Sequence, residues 1–127
     1  MLRKPKLVPT MRGYRRAMNE KIAPKILPLI QQIKSHLLAR YGDKLRRVIL
    51  YGSHARGGAT EDSDIDLLVL VDKDLCPREV RESLSDLLLD ILLETGELVS
   101  VQVLSEEFFE TYRYPFILNV KREGISV

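Results

Sequence analysis

In the stretch VILYGSHARGGATEDSDIDLLVLVD, residues 48–72, Gly52-Ser53 is followed after ten residues by Asp64-Ile65-Asp66. Side chains alternate along a strand, so on extended backbone Asp64 and Asp66 share one face while Ile65 and Leu67 point the other way. Two residues of rise set their α-carbons about 6.7 Å apart. Carboxylates so placed repel, and a hard divalent cation at roughly 2.0–2.1 Å from their oxygens removes that repulsion. Gly52 allows a ligand to approach the backbone closely, and Ser53 is a good N-cap for a short helix through Ala55 and Arg56. Free amides at that helix start favour a phosphate, and Arg56 lies within reach of the same anion. The pattern therefore fits a magnesium-bridged nucleoside triphosphate, with Asp64 and Asp66 as metal ligands and Gly52, Ser53 and Arg56 as phosphate contacts.

Other chemistry fits less well. An Asp-x-Asp pair by itself is common and is more often a solvated loop. Asp62, Asp64 and Asp66 imitate a calcium loop, but that loop needs Gly where Leu67 stands and Glu where Lys73 stands. A phosphate loop of the Gly-Lys-Ser/Thr kind is absent from the sequence. Metal-dependent glycosyltransferases also use Asp-x-Asp, yet they need a longer chain to house a nucleotide sugar. Glu61 and Asp62 read as surface acids that sharpen the turn.

The elements that position these residues follow from periodicity. Met18, Ile22, Ile26, Ile30, Ile33 and Leu37 recur at helical spacing, with Pro24 and Pro28 limiting the dependable helix to about 28–40, before Gly42. Val48–Tyr51 and Ile65–Val71 are apolar runs that predict two buried strands. Pro77 opens a helix whose stripe Val80, Leu84, Leu87, Leu88, Ile91 and Leu92 runs to a stop at Gly96. A third strand is expected over Leu98–Leu104, a helix starting at Ser105, and a last short helix over Pro115–Glu123 ended by Gly124. Helices alternating with three or more strands predict an α/β or α+β domain.

The 127 residues fit one domain, with 45% hydrophobic and 30% charged residues, as in a soluble globular protein. The lone Cys76 cannot form an internal disulfide and points to a reducing compartment. No apolar run approaches the roughly 20 residues that span a membrane, and the N-terminus lacks the apolar core of a secretory signal, so a cytoplasmic location is expected. Residues 1–16 carry Arg3, Lys4, Lys6, Arg12, Arg15 and Arg16 and no acid, leaving 14 of the 20 basic and all 18 acidic side chains to the other 111 residues. The plainer reading of this arm is a solvated terminus; the sharper one is a basic arm that meets RNA or an acidic partner. The domain proper is expected over 17–127.

Gly52, Ser53, Ala55, Arg56, Gly57, Ser63, Asp64, Asp66 and Leu67 together resemble the signature of the minimal nucleotidyltransferases, within the DNA polymerase β-like superfamily. The tail YPFILNVKREGI is similar to tails in that group. The resemblance implies a mixed β-sheet flanked by helices that transfers a nucleoside monophosphate from a triphosphate to an acceptor hydroxyl of protein or RNA. It implies that Asp64 and Asp66 hold one or two Mg²⁺ (or Mn²⁺) ions, that Gly52 and Ser53 anchor the β- and γ-phosphates, and that Arg56 assists. It also implies a separate helical protein partner, as in toxin–antitoxin couples, or a homodimer. One departure stands out. The family's third carboxylate, on the next strand, aligns with Ser100, which shares a face with Gln102 and is neither a good ligand nor a base. Glu97 has the wrong parity unless the strand bulges. The competing reading is therefore a nucleotide-binding or antitoxin module with weak or no turnover.

The remaining chemically able side chains are expected to be bystanders. His54 is read as an exposed variable position, His36 as solvated, and Cys76 as a loop or helix-start residue. Tyr112, Tyr114 and Phe116 are read as core in preference to an adenine shelf.

Overall fold

A computed structural model describes residues 22–127. The basic arm over 1–16 and Met18 lie outside the described residues.

A 3₁₀ turn over Pro24–Ile26 leads into α1, Leu27–Tyr41, which Gly42 caps as expected. Helix α1 turns Ile30, Ile33 and Leu37 into the core. Strand β1, Leu45–Tyr51, is longer than its apolar run. Arg46 and Arg47 extend it at the solvent side, bonded to Asp72 and Glu110. A four-residue helix α2, Ser53–Arg56, follows, and then β2, Ile65–Val71. In β2 every residue but Asp66 is buried, the mark of a strand covered on both faces.

The single helix expected over residues 77–95 is two, α3 (Pro77–Ser83) and α4 (Ser85–Thr95). Ser83 donates its hydroxyl to the Val80 carbonyl at 2.7 Å, and the Leu84 amide bonds back three residues to Arg81. Such local bonds compete with the regular ladder and tighten the turn. Strand β3 spans Val99–Ser105, and Ser105 caps α5 (Glu106–Thr111) by accepting from the Phe108 amide at 3.0 Å. Helix α6 runs over Pro115–Glu123, followed by a two-residue strand, β4, Ile125–Ser126, that periodicity did not foresee.

The sheet order is β3-β2-β1-β4, with β1 antiparallel to β2 and β4, and β2 parallel to β3. This is the mixed sheet of the expected α/β class. One face, with Val48, Leu50, Ile65, Leu67, Val69, Val71 and the valines of β3, packs against α1, α3 and α4. The other, with Ile49, Leu68 and Leu70, packs against Phe109, Ile117 and Val120 of α5 and α6. Strand β3 is an edge, and Arg81 of α3 donates to its Val101 carbonyl at 3.1 Å. Side chains that cover an edge suppress strand-to-strand aggregation.

Candidate functional site

Antiparallel pairing brings the two halves of the motif together. Tyr51, the last residue of β1, lies opposite Asp66, and Asp66 in turn lies beside Ser100 on β3. Cross-strand partners share a face, so Tyr51, Asp66 and Ser100 form one row across the sheet, on the α5–α6 side. Gly52 directly follows that row. Its backbone has φ +76° and ψ −154°, a region that glycine alone occupies without strain. A Cβ on Gly52 would collide with Oδ2 of Asp66. The turn therefore rests directly against the carboxylate.

Gly52, and not Ser53, occupies the capping position of α2; its carbonyl accepts from the amides of Ala55 at 3.0 Å and Arg56 at 3.1 Å. The cap expected at Ser53 lies one residue earlier: Ser53 is the first helical residue, because only glycine fits the backbone that the cap requires. Ala55 anchors α2 in the core. The turn at Thr60–Ser63 is closed by the Ser63 amide on the Thr60 carbonyl and by the Thr60 amide on the Ser63 hydroxyl, 3.1 and 2.9 Å. It delivers exposed Asp64 to the start of β2, where the Ile65 amide bonds to the Leu98 carbonyl at 2.9 Å.

The electrostatics single out Asp66. Partial burial and then the neighbouring charge of Asp64 raise its pKa, while His54 and Arg56 draw it down. Burial, and then the charge of Asp66, also raise the Tyr51 phenol. The protein has thus placed two coupled carboxylates together and, on balance, left the inner one short of positive charge. That donor set fits a magnesium-type ion, which takes one or two carboxylates and completes its shell with water and substrate phosphates. Among the described residues no three acids, histidines or cysteines converge as an all-protein cage.

The other candidates separate. Arg56 points its Nη1 at Oε1 of Glu123 on α6, 3.0 Å away. Glu97 precedes β3, pairs with Lys25 at 3.1 Å, and stays outside the Asp66 row because the β2–β3 register runs without a bulge. His54 is 4% exposed, against the expectation of an exposed position, because α2 packs its inner side on β1 and β2; its Nε2 has no partner among the described residues. His36 is half-buried and not solvated, with an enclosed Nε2 that also has no partner among the described residues. Cys76 is exposed at the start of α3. Tyr112, Tyr114 and Phe116 are exposed and not core, because Phe109, Ile117 and Val120 already fill the inward positions of α5 and α6. The Tyr112 and Tyr114 rings pack on each other and on Phe108, and Phe116 stands edge-on to Tyr51 at 5.3 Å. Sequence reasoning missed the neighbourhood of Tyr51 and Glu123; both are set by pairings distant in sequence.

Comparison with known proteins bears on this geometry. The family model for the nucleotidyltransferase domain matches residues 30–122. Two Methanocaldococcus jannaschii proteins carry the name "Putative protein adenylyltransferase". MJ0604 is 35% identical over 96 residues, covering 75% of this chain and 90% of its own. MJ0141 is 31% identical over 103 residues, covering 81% and 99%. Among solved structures, a "putative nucleotidyltransferase" from Sulfolobus solfataricus superposes with TM-score 0.56 at 20% identity, over 80% of this chain and 78% of that one. A toxin–antitoxin structure with AMP-PNP superposes with TM-score 0.50 at 20% identity, over 75% and 69%. These structures share the fold. No helix among the described residues is long and apolar enough to cross a membrane.

Proposed function

Since the chain belongs to the nucleotidyltransferase domain family, we propose that it moves a nucleoside monophosphate from a nucleoside triphosphate to an acceptor hydroxyl, with Asp64 and Asp66 as its metal-binding acids. The observation that carries this reading is the contact of the Gly52 turn with the Asp66 carboxylate. It sets a phosphate-accepting backbone beside a pair of acids that lack compensation. The relatives named as protein adenylyltransferases favour ATP as the donor and a protein hydroxyl as the acceptor.

In this reading the backbone of Gly52 and Ser53 receives the β- and γ-phosphates, and Arg56 adds a charged donor to the same anion. Asp64 and Asp66 would hold Mg²⁺ or Mn²⁺. When bound, the ion supplies charge neutralisation for the triphosphate and for the in-line displacement at the α-phosphorus. The acceptor oxygen would bond to that phosphorus as the bond to the β-phosphate oxygen breaks, pyrophosphate leaving and the hydroxyl proton passing to water. Ser100 lies beside Asp66, where the family resemblance implies a third acid, and a serine is no base for the acceptor proton. Turnover is therefore slow unless a partner contributes the missing group.

That same serine favours a second reading, a module that binds nucleotide and a protein partner with little transfer of its own. The fold shared with a toxin–antitoxin structure is consistent with a helical partner. The test is incubation with labelled ATP, GTP, CTP or UTP in Mg²⁺ or Mn²⁺, together with co-purifying protein and RNA. Label on an acceptor that disappears in the Asp64→Asn, Asp66→Asn double variant supports the enzyme. Label that persists in that variant overturns the site, and no label on any acceptor, with tight partner binding, selects the module. The RNA expectation attaches to the arm outside the described residues.

A further inference from the structure

Residues 125–127 are built onto the strand that leads into the phosphate turn. Ile125 pairs with Leu50 and Ser126 with Ile49, and the Val127 amide bonds to the Val48 carbonyl at 2.9 Å. Gly124 makes this docking possible, since a Cβ there would meet Ile49 Cγ2 and the Val120 carbonyl oxygen, each at 2.6 Å. The close approach of the end of α6 to β1 carries Glu123 to α2, where Oε1 takes a hydrogen bond from Arg56 Nη1 at 3.0 Å. The two residues are 67 positions apart in sequence.

From this we infer that Glu123 is a positioning residue for nucleotide binding: it holds the Arg56 guanidinium at the phosphate turn before the triphosphate arrives. The contact is through one nitrogen, and a guanidinium has five N–H donors in a rigid fork. Most of that fork stays free for phosphate while its direction is set. A long side chain 55% exposed to solvent otherwise samples many rotamers and has to be ordered on binding. Arg56 ends the short helix α2 that Gly52 caps, so the held guanidinium belongs to the element that the phosphate turn opens. Arg122 also approaches the other oxygen of Glu123, at 3.7 Å, so the carboxylate sits between two guanidinium groups and does not need Arg56 for neutralisation. That leaves Arg56 able to keep a second, anionic partner.

The inference rests on the reading of Arg56 as a phosphate contact, and a double-mutant cycle separates the two. The dissociation constants of Mg²⁺–ATP and of base-free Mg²⁺–tripolyphosphate are measured for wild type, Arg56→Ala, Glu123→Ala, Glu123→Gln and the Arg56→Ala, Glu123→Ala pair. Thermal midpoints are recorded for each. Ordering one side chain corresponds to a weakening of roughly three- to tenfold for Glu123→Ala, the same for both probes. The double variant binds no more weakly than Arg56→Ala, and Glu123→Gln, which keeps the hydrogen-bond acceptor, recovers part of the loss. If Arg56→Ala leaves binding unchanged, the phosphate role of Arg56 fails. If Arg56→Ala weakens binding and Glu123→Ala does not, the inference alone fails. A loss from Glu123→Ala that persists in the Arg56→Ala background would mark a merely structural role, and tighter binding by Glu123→Ala would show a competitor; either overturns the inference.

Discussion

Two aspartates stand at the two ends of β2, and their surroundings are opposite. Asp72, just past the strand, takes a 2.6 Å hydrogen bond from Arg46 and another at 2.9 Å from the Asp74 amide. Those bonds lower its pKa. Asp66, near the other end, receives no hydrogen bond to its carboxylate among the described residues, lies beside a second acid, and has its pKa raised by burial and by that acid. The same strand thus carries a carboxylate that hydrogen bonds satisfy and one whose charge burial and a neighbouring acid disfavour. An acid so placed costs stability when ionised, and under the proposed function a bound cation offsets that cost.

The sharpest way to break the comparison is to neutralise each acid in turn. Asp66→Asn, alone or with Asp64→Asn, is expected to lower nucleotide transfer by about 10²-fold or more, the scale of losing a transition-state charge clamp. It leaves the folded chain as stable or slightly more stable in the absence of metal. Asp72→Asn does the reverse: transfer is retained and the thermal midpoint falls. Initial rates with labelled ATP and melting curves in EDTA check both. Transfer that survives Asp66→Asn would remove the functional half of the contrast.

Gly52→Ala probes the contact that joins turn to acid. Its left-handed backbone and the collision with Asp66 together cost about 1–3 kcal/mol. Gly96→Ala is the control, for Gly96 has φ +80° but open space around its would-be Cβ. Urea unfolding should show the larger loss for Gly52→Ala, and only that variant should lose metal-dependent nucleotide binding. Equal losses would mean that the turn does not depend on Asp66.

How far this was legible in the sequence varies with the range of the interaction. Strand β2 was readable to the residue because a strand buried on both faces is a continuous apolar run, and α6 because Pro115 and Gly124 bracket it. Strand β1 was read short, since Arg46 and Arg47 look like loop until Asp72 and Glu110 are known to meet them. Strand β4 exists only by pairing with β1, and two residues carry no period of their own. At the site, alternation put Ser100 on one face with Gln102, but its neighbours in the row, Asp66 and then Tyr51, are set by strand pairing that no local pattern records. The Arg56–Glu123 bond and the burial of His54 depend on how α2 and α6 settle on the sheet, which local pattern does not record. The aromatic residues from Tyr112 to Phe116 were misplaced for the same reason: hydrophobicity marks them for burial, but Ile117 and Val120 take the inward positions.

Ser100→Asp sharpens the contrast by adding acid to the row that Asp66 occupies. A carboxylate there raises repulsion in the metal-free chain and lowers its thermal midpoint, while Mg²⁺ or Mn²⁺ restores it more strongly than in wild type. Metal affinity is expected to rise several-fold, roughly one added hard ligand's worth. Transfer should rise if the serine is what limits turnover. Calorimetric Mn²⁺ titration with and without ATP reads the first effect, and unchanged affinity would place residue 100 outside the site despite its register.

The smallest effect, and the most direct reading of the two ends, is the dependence of stability on pH in EDTA. The Asp72 carboxyl titrates lower in the folded than in the unfolded chain, so its contribution is present above the unfolded value near about 4 and is lost as pH falls through the folded one. The Asp66 carboxyl titrates higher when folded. The folded chain then holds the proton more tightly than the unfolded chain does, so stability is lost as pH rises from about 4 through the folded value. The midpoint difference between Asp66→Asn and wild type should therefore be close to zero in acid and turn positive towards neutrality. The difference for Asp72→Asn should be negative at neutrality and vanish in acid. Mg²⁺ with ATP should erase or invert the first difference, since binding stabilises only a chain that keeps Asp66, and leave the second untouched. Parallel pH profiles for the two variants would mean that both ends of β2 are merely structural.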